Sequence, residues 1–469
     1  MVPSASAEPA LPASGTARGV WGGLAATLGV GLAMAWLWGF TVDDALITCR
    51  MAAHLAQGIG YRFNVGGPVV DAVTPLGFAH LLAPFAGGGP LAALVAAKWL
   101  GALAVALAAF ILGRRILPGT SAAYGGALLL CLSVTAPVAA WAVSGMETGV
   151  VTLLAVVALG HGRLADAAAA LAAAWRPELA PWCCCVRLGL RLQSGASLGR
   201  ALPSPALVLG AVALVGVLRA VLFGRAAPLS VFAKPSDLAH GVSYALFACV
   251  QTGLPLLCCA PFSLRRGAPV ARVLALGGVV HFASLMLAGG DWMSLYRLAV
   301  PVLPSFVLGA AELWRVAPAW SSWLRVALAG SMSVYLAAAL GPVARGVGAD
   351  RARLIEAARA PLAGAKVVAS PDVGWVGAIA DFTVVDLAGV TDETVAMLPG
   401  GHTSKRIDDS LLRRRNVDAL VLLAYPPHDE LAREIDRRAA LTPTAQGFEL
   451  LARLPLAGGR QHYVVFRKR

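Results

Sequence analysis

A chain of 469 residues that is 58% hydrophobic and 13% charged, with a mean hydropathy of +0.72, lies far from a soluble composition and reads as a polytopic membrane protein. Its formal charge of +13 comes from 38 basic against 25 acidic residues, a balance that in a soluble protein would point to nucleic acid. Here the arginines mostly fall in short loops between apolar runs, so positive-inside anchoring explains most of the excess and no nucleic-acid partner is expected. The eight cysteines form no disulfide framework, because they lie in apolar runs apart from Cys49.

Residues 1–18 are rich in Ala, Ser and Pro and read as a flexible cytoplasmic N-terminus. The run from Trp21 to Phe40 is about as long as a full membrane span requires and is taken as an uncleaved first helix. Directly after it comes Thr41 to Arg50, TVDDALITCR, with two adjacent carboxylates, Asp43 and Asp44. An ionised carboxylate at the bilayer centre costs roughly 2.5–3.5 kcal/mol on insertion scales, so this pair belongs at the interface or in a wet cavity. One role for it is to cap the following helix, ALITCRMAAHLAQG. The other holds one carboxylate forward as a base while its neighbour caps or binds a cation.

The piece from Thr74 to Ala86 is too short for a span and reads as a re-entrant entry to the next helix. Apolar runs then follow at 89–112, 120–139, 146–161, 164–190, 204–223, 243–262, 271–288, 298–313 and 321–343. Arg176-Pro177-Glu178 interrupts the fourth of these and splits it into two short crossings. With the N-terminus inside, this gives about eleven helices. Arg114/Arg115, Arg163, Arg187/Arg191/Arg200, Arg265/Arg266 and Arg315 then fall on the cytoplasmic side. The same assignment gathers Asp43, Asp44, Glu147, Arg176, Glu178, Lys234, Asp291 and Arg297 on the opposite face, although the splits rest only on length and breakers.

The domain reading is therefore a transmembrane module over 19–345, with an outer loop at 41–73, and an extracytoplasmic α/β domain over 346–469. RARLIEAARAPL, beginning at Arg351, reads as a connecting helix. Short β-like runs follow at Val367 to Ala369, Phe382 to Leu387, Ala419 to Ala424 and His462 to Phe466, with helices over Ser404 to Arg415 and Asp429 to Arg438.

Each chemical candidate has a plain structural alternative. Glu147 in WAVSGMET is either a helix N-cap or an acid facing the first pair. Asp291 and Arg297 in GGDWMSLYR form either a local ion pair or, through the planar guanidinium fork, a phosphate contact. Lys234 in FAKPSD is either solvated or a point charge for a phosphate, and Lys98 snorkels or pairs. No Walker loop, HExxH, CxxC pair, GxSxG elbow or metal-ligand spacing is present, and His80, His161 and His281 read as packed or interfacial.

TVDDALITCRMAAHLAQGIGYRFNVGGPVVDAVTPLG resembles the first outer loop of the GT-C superfamily of membrane glycosyltransferases, in the group similar to the mycobacterial terminal arabinofuranosyltransferase. That group shows a DDAYI-type start, a GxGxxFN turn and a TxPL entry to the next helix. SGMET, WRPE, FAKPS, GGDWMxxxR with PVLP, DLAGVTD and GHTSK follow in the family's order, so the resemblance spans most of the chain. It implies an inverting transferase that takes a sugar from a polyprenyl-phosphate donor outside the plasma or inner membrane. Asp43, with Asp44 the close second, would deprotonate a glycan, lipid or protein acceptor. Lys234 and Arg297 would neutralise the leaving phosphate. Glu147 and Asp291 would position the acceptor or hold an optional divalent cation. Arg176 and Glu178 would join the substrate site, the membrane helices would give the lipid tail a groove, and the tail domain would help bind the acceptor, with His402 and Lys405 of GHTSK as its residues. The chain departs from the group at Leu46, Cys49 and Met51, where aromatics are usual, and at Asp71-Ala72-Val73, which stands for EGY. By the resemblance these positions would shape the sugar pocket, so arabinose as the donor sugar does not carry over. A transporter or flippase of a lipid-linked or small polar substrate, or a non-catalytic envelope-assembly protein, remain the readings from other classes; no paired halves with broken helices are visible.

Overall fold

The computed structural model describes residues 13–133, 136–253, 268–380 and 382–468. A mostly helical body precedes a small C-terminal sheet. Its helices are α1 Ala13–Trp36, α2 Asp43–Ala56, α3 Pro90–Ile116, α4 Ala122–Ser133, α5 Ala136–Ala142, α6 Thr148–Ala158, α7 Gly162–Trp175, α8 Ala180–Gln193, α9 Pro203–Phe223, α10 Leu229–Ala233, α11 Leu238–Ala248, α12 Pro269–Ala288, α13 Leu303–Leu313 and α14 Ala319–Ala358. Among the described residues five segments are long and apolar enough to cross a membrane: Ala17–Trp36, Pro90–Gly119, Leu198–Phe223, Pro269–Ala288 and Ala319–Ala358. The pair Ala122–Leu132 and Ala136–Ala142, bent by 54°, makes a sixth if it is one span.

Among the described residues eleven full-length spans are not seen. At 1.5 Å per residue the 14-residue helices α7 and α8 reach only about 21 Å and the 11-residue α6 about 17 Å, short of a hydrocarbon core of about 30 Å. The split at Arg176-Pro177-Glu178 does occur, since α7 ends at Trp175 and α8 starts at Ala180. Residues 13–18 belong to α1, while the first twelve residues, Arg265/Arg266 and the end of the 243–262 run lie outside the described residues.

Two groups of charges mark the two ends of the body. At one end Arg115 donates to the Leu159 carbonyl, Arg187 donates to those of Ala158 and Gly160, and Asp166 pairs with Arg187 and Arg191. The other end carries α2 and the C-terminal domain. Two anchors hold its outer loop: Lys98 Nζ donates to Phe40 O at 2.7 Å, and the buried Arg219 of α9 pairs with Asp71 while donating to the Thr74 carbonyl. Asp71 thus keeps the loop on the largely exposed apolar helix α9.

The 40-residue α14 is about 60 Å long, twice the hydrocarbon thickness, and continues through the boundary expected at residue 346. The glycines there serve close packing. Gly348 N donates to Gly39 O at 2.7 Å, and a side chain at Gly39 would run into the Arg345 carbonyl. The connecting helix is therefore the end of a helix long and apolar enough to cross a membrane, and it carries Arg351 to the domain interface.

The sheet has the order β2-β1-β3-β6-β5, with β1 Val367–Ser370, β2 Thr383–Asp386, β3 Ala419–Tyr425, β5 Phe448–Pro455 and β6 His462–Lys468; β4, Glu430–Leu431, pairs with β3. β1 is parallel to β2 and β3, whereas β6 runs antiparallel to β3 and β5. The four expected strands are present. β5 went unpredicted because FELLARLP is mostly exposed and bulged between Leu450 and Ala452, so it lacks clean alternation. α15, Val373–Gly377, packs against α2.

The outer edge of the sheet, β2, is closed by a single side chain: Asn64 Nδ2 donates to Val384 O and Val384 N donates to Asn64 Oδ1, each at 2.9 Å. The amide imitates a neighbouring strand and removes an exposed edge. Asn64→Ala leaves both backbone groups unpaired and is expected to cost about 1–3 kcal/mol, measured as a lower unfolding midpoint of the full-length protein.

Candidate active site between the helical body and the C-terminal domain

The site begins with how α2 starts. Val42 is extended at the N-cap and offers no side-chain cap, so Asp43 and Asp44 occupy the first turn. Thr41 Oγ1 donates to Ser144 O at 2.8 Å, which ties this start to the SGMET turn. Asp43 does not cap its own helix. Its two oxygens accept the N–H groups of Gly374 and Trp375 at 2.7 and 2.9 Å, so it caps α15 of the C-terminal domain. Seven residues on, two turns along the same face, the buried Arg50 closes the other end of α15. It donates to the carbonyls of Gly377, Ala380 and Phe382, and its Nε donates to Phe63 O. A negative group thus meets the N-terminal end of α15 and a positive group its C-terminal end. A methyl group on Gly374 would collide with the Asp43 carbonyl oxygen, so glycine is required for the approach.

Asp44 points elsewhere. Its Oδ2 lies 3.5 Å from Lys234 Nζ and 4.0 Å from Arg297 Nη1, and Arg297 Nε lies 2.9 Å from Asp291 Oδ2. Arg297 is delivered by a strained loop: Leu295 and Tyr296 have φ of 62° and 49°, two successive non-glycine residues in the left-handed region. Trp141 Nε1 fixes that loop by donating to Leu295 O at 3.0 Å, Tyr296 OH donates to Gln251 Oε1 at 2.7 Å, and the guanidinium lies over the Trp141 ring. Arg176 stands between Glu147 at 2.8 Å and Glu178 at 2.6 Å.

Two cavities meet at Asp44 and Lys234. The smaller, about 180 Å³, is walled by Asp44, Arg176, Glu178, Lys234, Asp291 and Arg297, with Thr74 and Ser230. The larger, about 470 Å³, lies between the body and the C-terminal domain and is walled by Asp43, Asp44, Lys234, Trp292, Arg351 and Asp372, with His402 and Arg433. Val390 reaches both from a loop held by Asp386, which accepts from the backbone of Ala388, Gly389 and Thr391.

The two acids differ in proton affinity. Burial raises Asp43, and Asp372 nearby adds to this; Arg351 and the two N–H bonds oppose it, leaving the carboxyl at about 6. Burial also raises Asp44, but Lys234, Arg297 and His402 together outweigh it and hold the acid below its ordinary value. His402 is pushed down to about 4 by burial and by Lys234, so its ring is neutral at physiological pH. Asp372 is held below its ordinary value: burial raises it, but the bidentate Arg433 outweighs burial, and Tyr463 OH donates to it at 3.0 Å.

Of the expected residues, Asp43, Asp44, Arg176, Glu178, Lys234, Asp291, Arg297 and His402 line the two cavities. Glu147 is buried behind Arg176 and reaches neither, so of the two acids expected to hold a cation one is committed to Arg176 and the other, Asp291, to Arg297. Lys405 is not brought to the site. It is buried inside the C-terminal domain, where Nζ donates to Ala396 O and Leu398 O at 2.7 and 2.9 Å. Arg50, Trp292, Arg351, Asp372 and Arg433 were missed; the one legible signal was Arg50, seven residues from Asp43 on the same helix face. Among the described residues no group of three or more His, Cys, Asp or Glu side chains is arranged to hold a metal ion. No protein-family model, curated protein or solved structure matches the chain.

Gly374→Ala is expected to lift α15 off α2. Amide hydrogen exchange at Trp375 in the full-length protein should accelerate at least about tenfold, and unchanged protection would contradict the role of Asp43 as its cap.

Proposed function

We propose that this protein is a membrane-embedded inverting glycosyltransferase of the GT-C type, moving a sugar from a polyprenyl-phosphate donor to a hydroxyl of a glycan, lipid or protein acceptor. The observation that carries the reading is the pair of adjacent acids where two cavities join, one lined by cations and the other open to a second domain. A transfer between two substrates needs two seats and a shared reacting centre, and this arrangement supplies them. The helical body is read as a multi-pass assembly of about eleven crossings, the short helices included, in the plasma or inner membrane. The basic loops face the cytoplasm and the acids and C-terminal domain face outside.

In this reaction the acceptor oxygen attacks the anomeric carbon in line, the bond from that carbon to the phosphate oxygen breaks, and the acceptor proton passes to Asp43. The phosphodiester of the donor leaves as a phosphomonoester with one more negative charge. Lys234 and Arg297, beside the smaller cavity, meet that charge as it develops. Asp43 lines the larger cavity, and a base near neutrality is the most effective, which its value of about 6 satisfies. The N–H groups of Gly374 and Trp375 hold its rotamer while lone pairs remain for a proton. Asp44, at the junction, faces the carbon where positive, oxocarbenium-like charge grows.

The test is transfer by the purified full-length protein from a polyprenyl-phosphate sugar, read by mass spectrometry of released polyprenyl phosphate and glycosylated acceptor. Asp43→Asn is expected to lower kcat by about 10²–10⁴ and Lys234→Ala by about 10²–10³. Wild-type kcat should fall tenfold per pH unit below about 6, because only ionised Asp43 accepts the proton. Undiminished transfer by Asp43→Asn, Asp44→Asn and the double variant would overturn the reading. Movement of an intact lipid-linked sugar, with no new glycosidic bond, would point to a transporter.

A further inference from the structure

Every cation that walls the smaller cavity faces a carboxylate. Arg176 has Glu147 and Glu178 at 2.8 and 2.6 Å, and Arg297 has Asp291 at 2.9 Å. The contacts of Asp44 are looser: the same oxygen, Oδ2, lies 3.5 Å from Lys234 Nζ and 4.0 Å from Arg297 Nη1. The Asp44 side chain is 26% exposed, against 6% for Asp291 and 1% for Glu147, so it is the accessible member of the acidic set. An incoming phosphate therefore meets two cations that already share one exposed carboxylate oxygen.

Resting on the proposed transfer reaction, we propose that the Asp44 carboxylate is the resident anion of the phosphate seat made by Lys234 and Arg297, and that a lipid-linked phosphate takes its place on those cations. Two anions cannot both sit on this pair without repulsion in a partly buried site, where charges a few ångström apart interact far more strongly than in water. In the empty protein the carboxylate screens Lys234 from Arg297, which would otherwise be two unpaired like charges. Once displaced, Asp44 still lies at the junction of the two cavities, and it is released to the reacting carbon only when the donor is in place. Donor binding then precedes the chemistry as a consequence of geometry. The cations also hold Asp44 below its ordinary acid value, in keeping with their use of it as a counter-ion.

The experiment measures equilibrium binding of a fluorescent short-chain polyprenyl monophosphate to the full-length protein in nanodiscs, with the neutral polyprenol as control. Removing the resident anion is expected to tighten binding about tenfold in both Asp44→Asn and Asp44→Ser, while Lys234→Met weakens it about tenfold. The acid is thus expected to hinder the binding of the ligand that it later helps to convert. Binding by both Asp44 variants that is equal to or weaker than wild type, with Lys234→Met still weakened, overturns the resident-anion proposal and leaves the phosphate seat standing. Binding unaffected by Lys234→Met, or no better than that of polyprenol, contradicts the seat itself and with it the proposed reaction.

Discussion

The site depends on one contact, the Asp43 carboxylate on the N–H groups of Gly374 and Trp375, paired with the Arg50 guanidinium on the carbonyls at the far end of the same short helix. Without it α2 would present two acids to open solvent. With it, the C-terminal domain roofs the acids, and the larger cavity exists as the gap between the two bodies. The roof also changes the chemistry of Asp43, because burial under the domain is what lifts its proton affinity. α14 brings Arg351 into the same gap from the helical body, and Asn64 fastens the 41–73 loop to the edge of the sheet.

The charges around the cavities are costly to bury, and the fold offsets that cost by pairing them. Breaking one partner from a buried pair destabilises by roughly 3–5 kcal/mol, because the other charge is left uncompensated. The Arg176 group and the Asp71–Arg219 pair are of this kind; the first is a fixed wall of the smaller cavity and the second anchors the loop beside it. The Lys234–Asp44 contact is longer and more exposed, as suits a charge that must exchange partners. Strain is concentrated beside it, in the left-handed Leu295 and Tyr296 that aim Arg297.

Local chemistry was legible in the sequence, and contacts across the chain were not. The acid pair after a helix end, the turn at Arg176-Pro177-Glu178 and the four strongly β-like strands follow from burial cost, breakers and alternation, and all occur. Arg50 offers only its spacing from Asp43; its partners in the C-terminal domain lie more than 320 positions away and are backbone carbonyls, which leave no signature of residue type. Lys405 sits in the same motif as His402 yet turns inward, since neighbours in sequence need not share a face. Apolar runs measure burial as well as span length: α6 and α13 are each 11 residues long and bury their apolar residues against other helices.

The most direct measurement is a structure of the full-length Asp43→Asn variant with an intact polyprenyl-phosphate sugar. The phosphate is expected in the smaller cavity beside Lys234 and Arg297, with the anomeric carbon turned to Asp44 and the larger cavity left open for the acceptor. A phosphate bound instead against Arg351 and Arg433, or a sugar lying away from both acids, would contradict the division of the site between the two cavities.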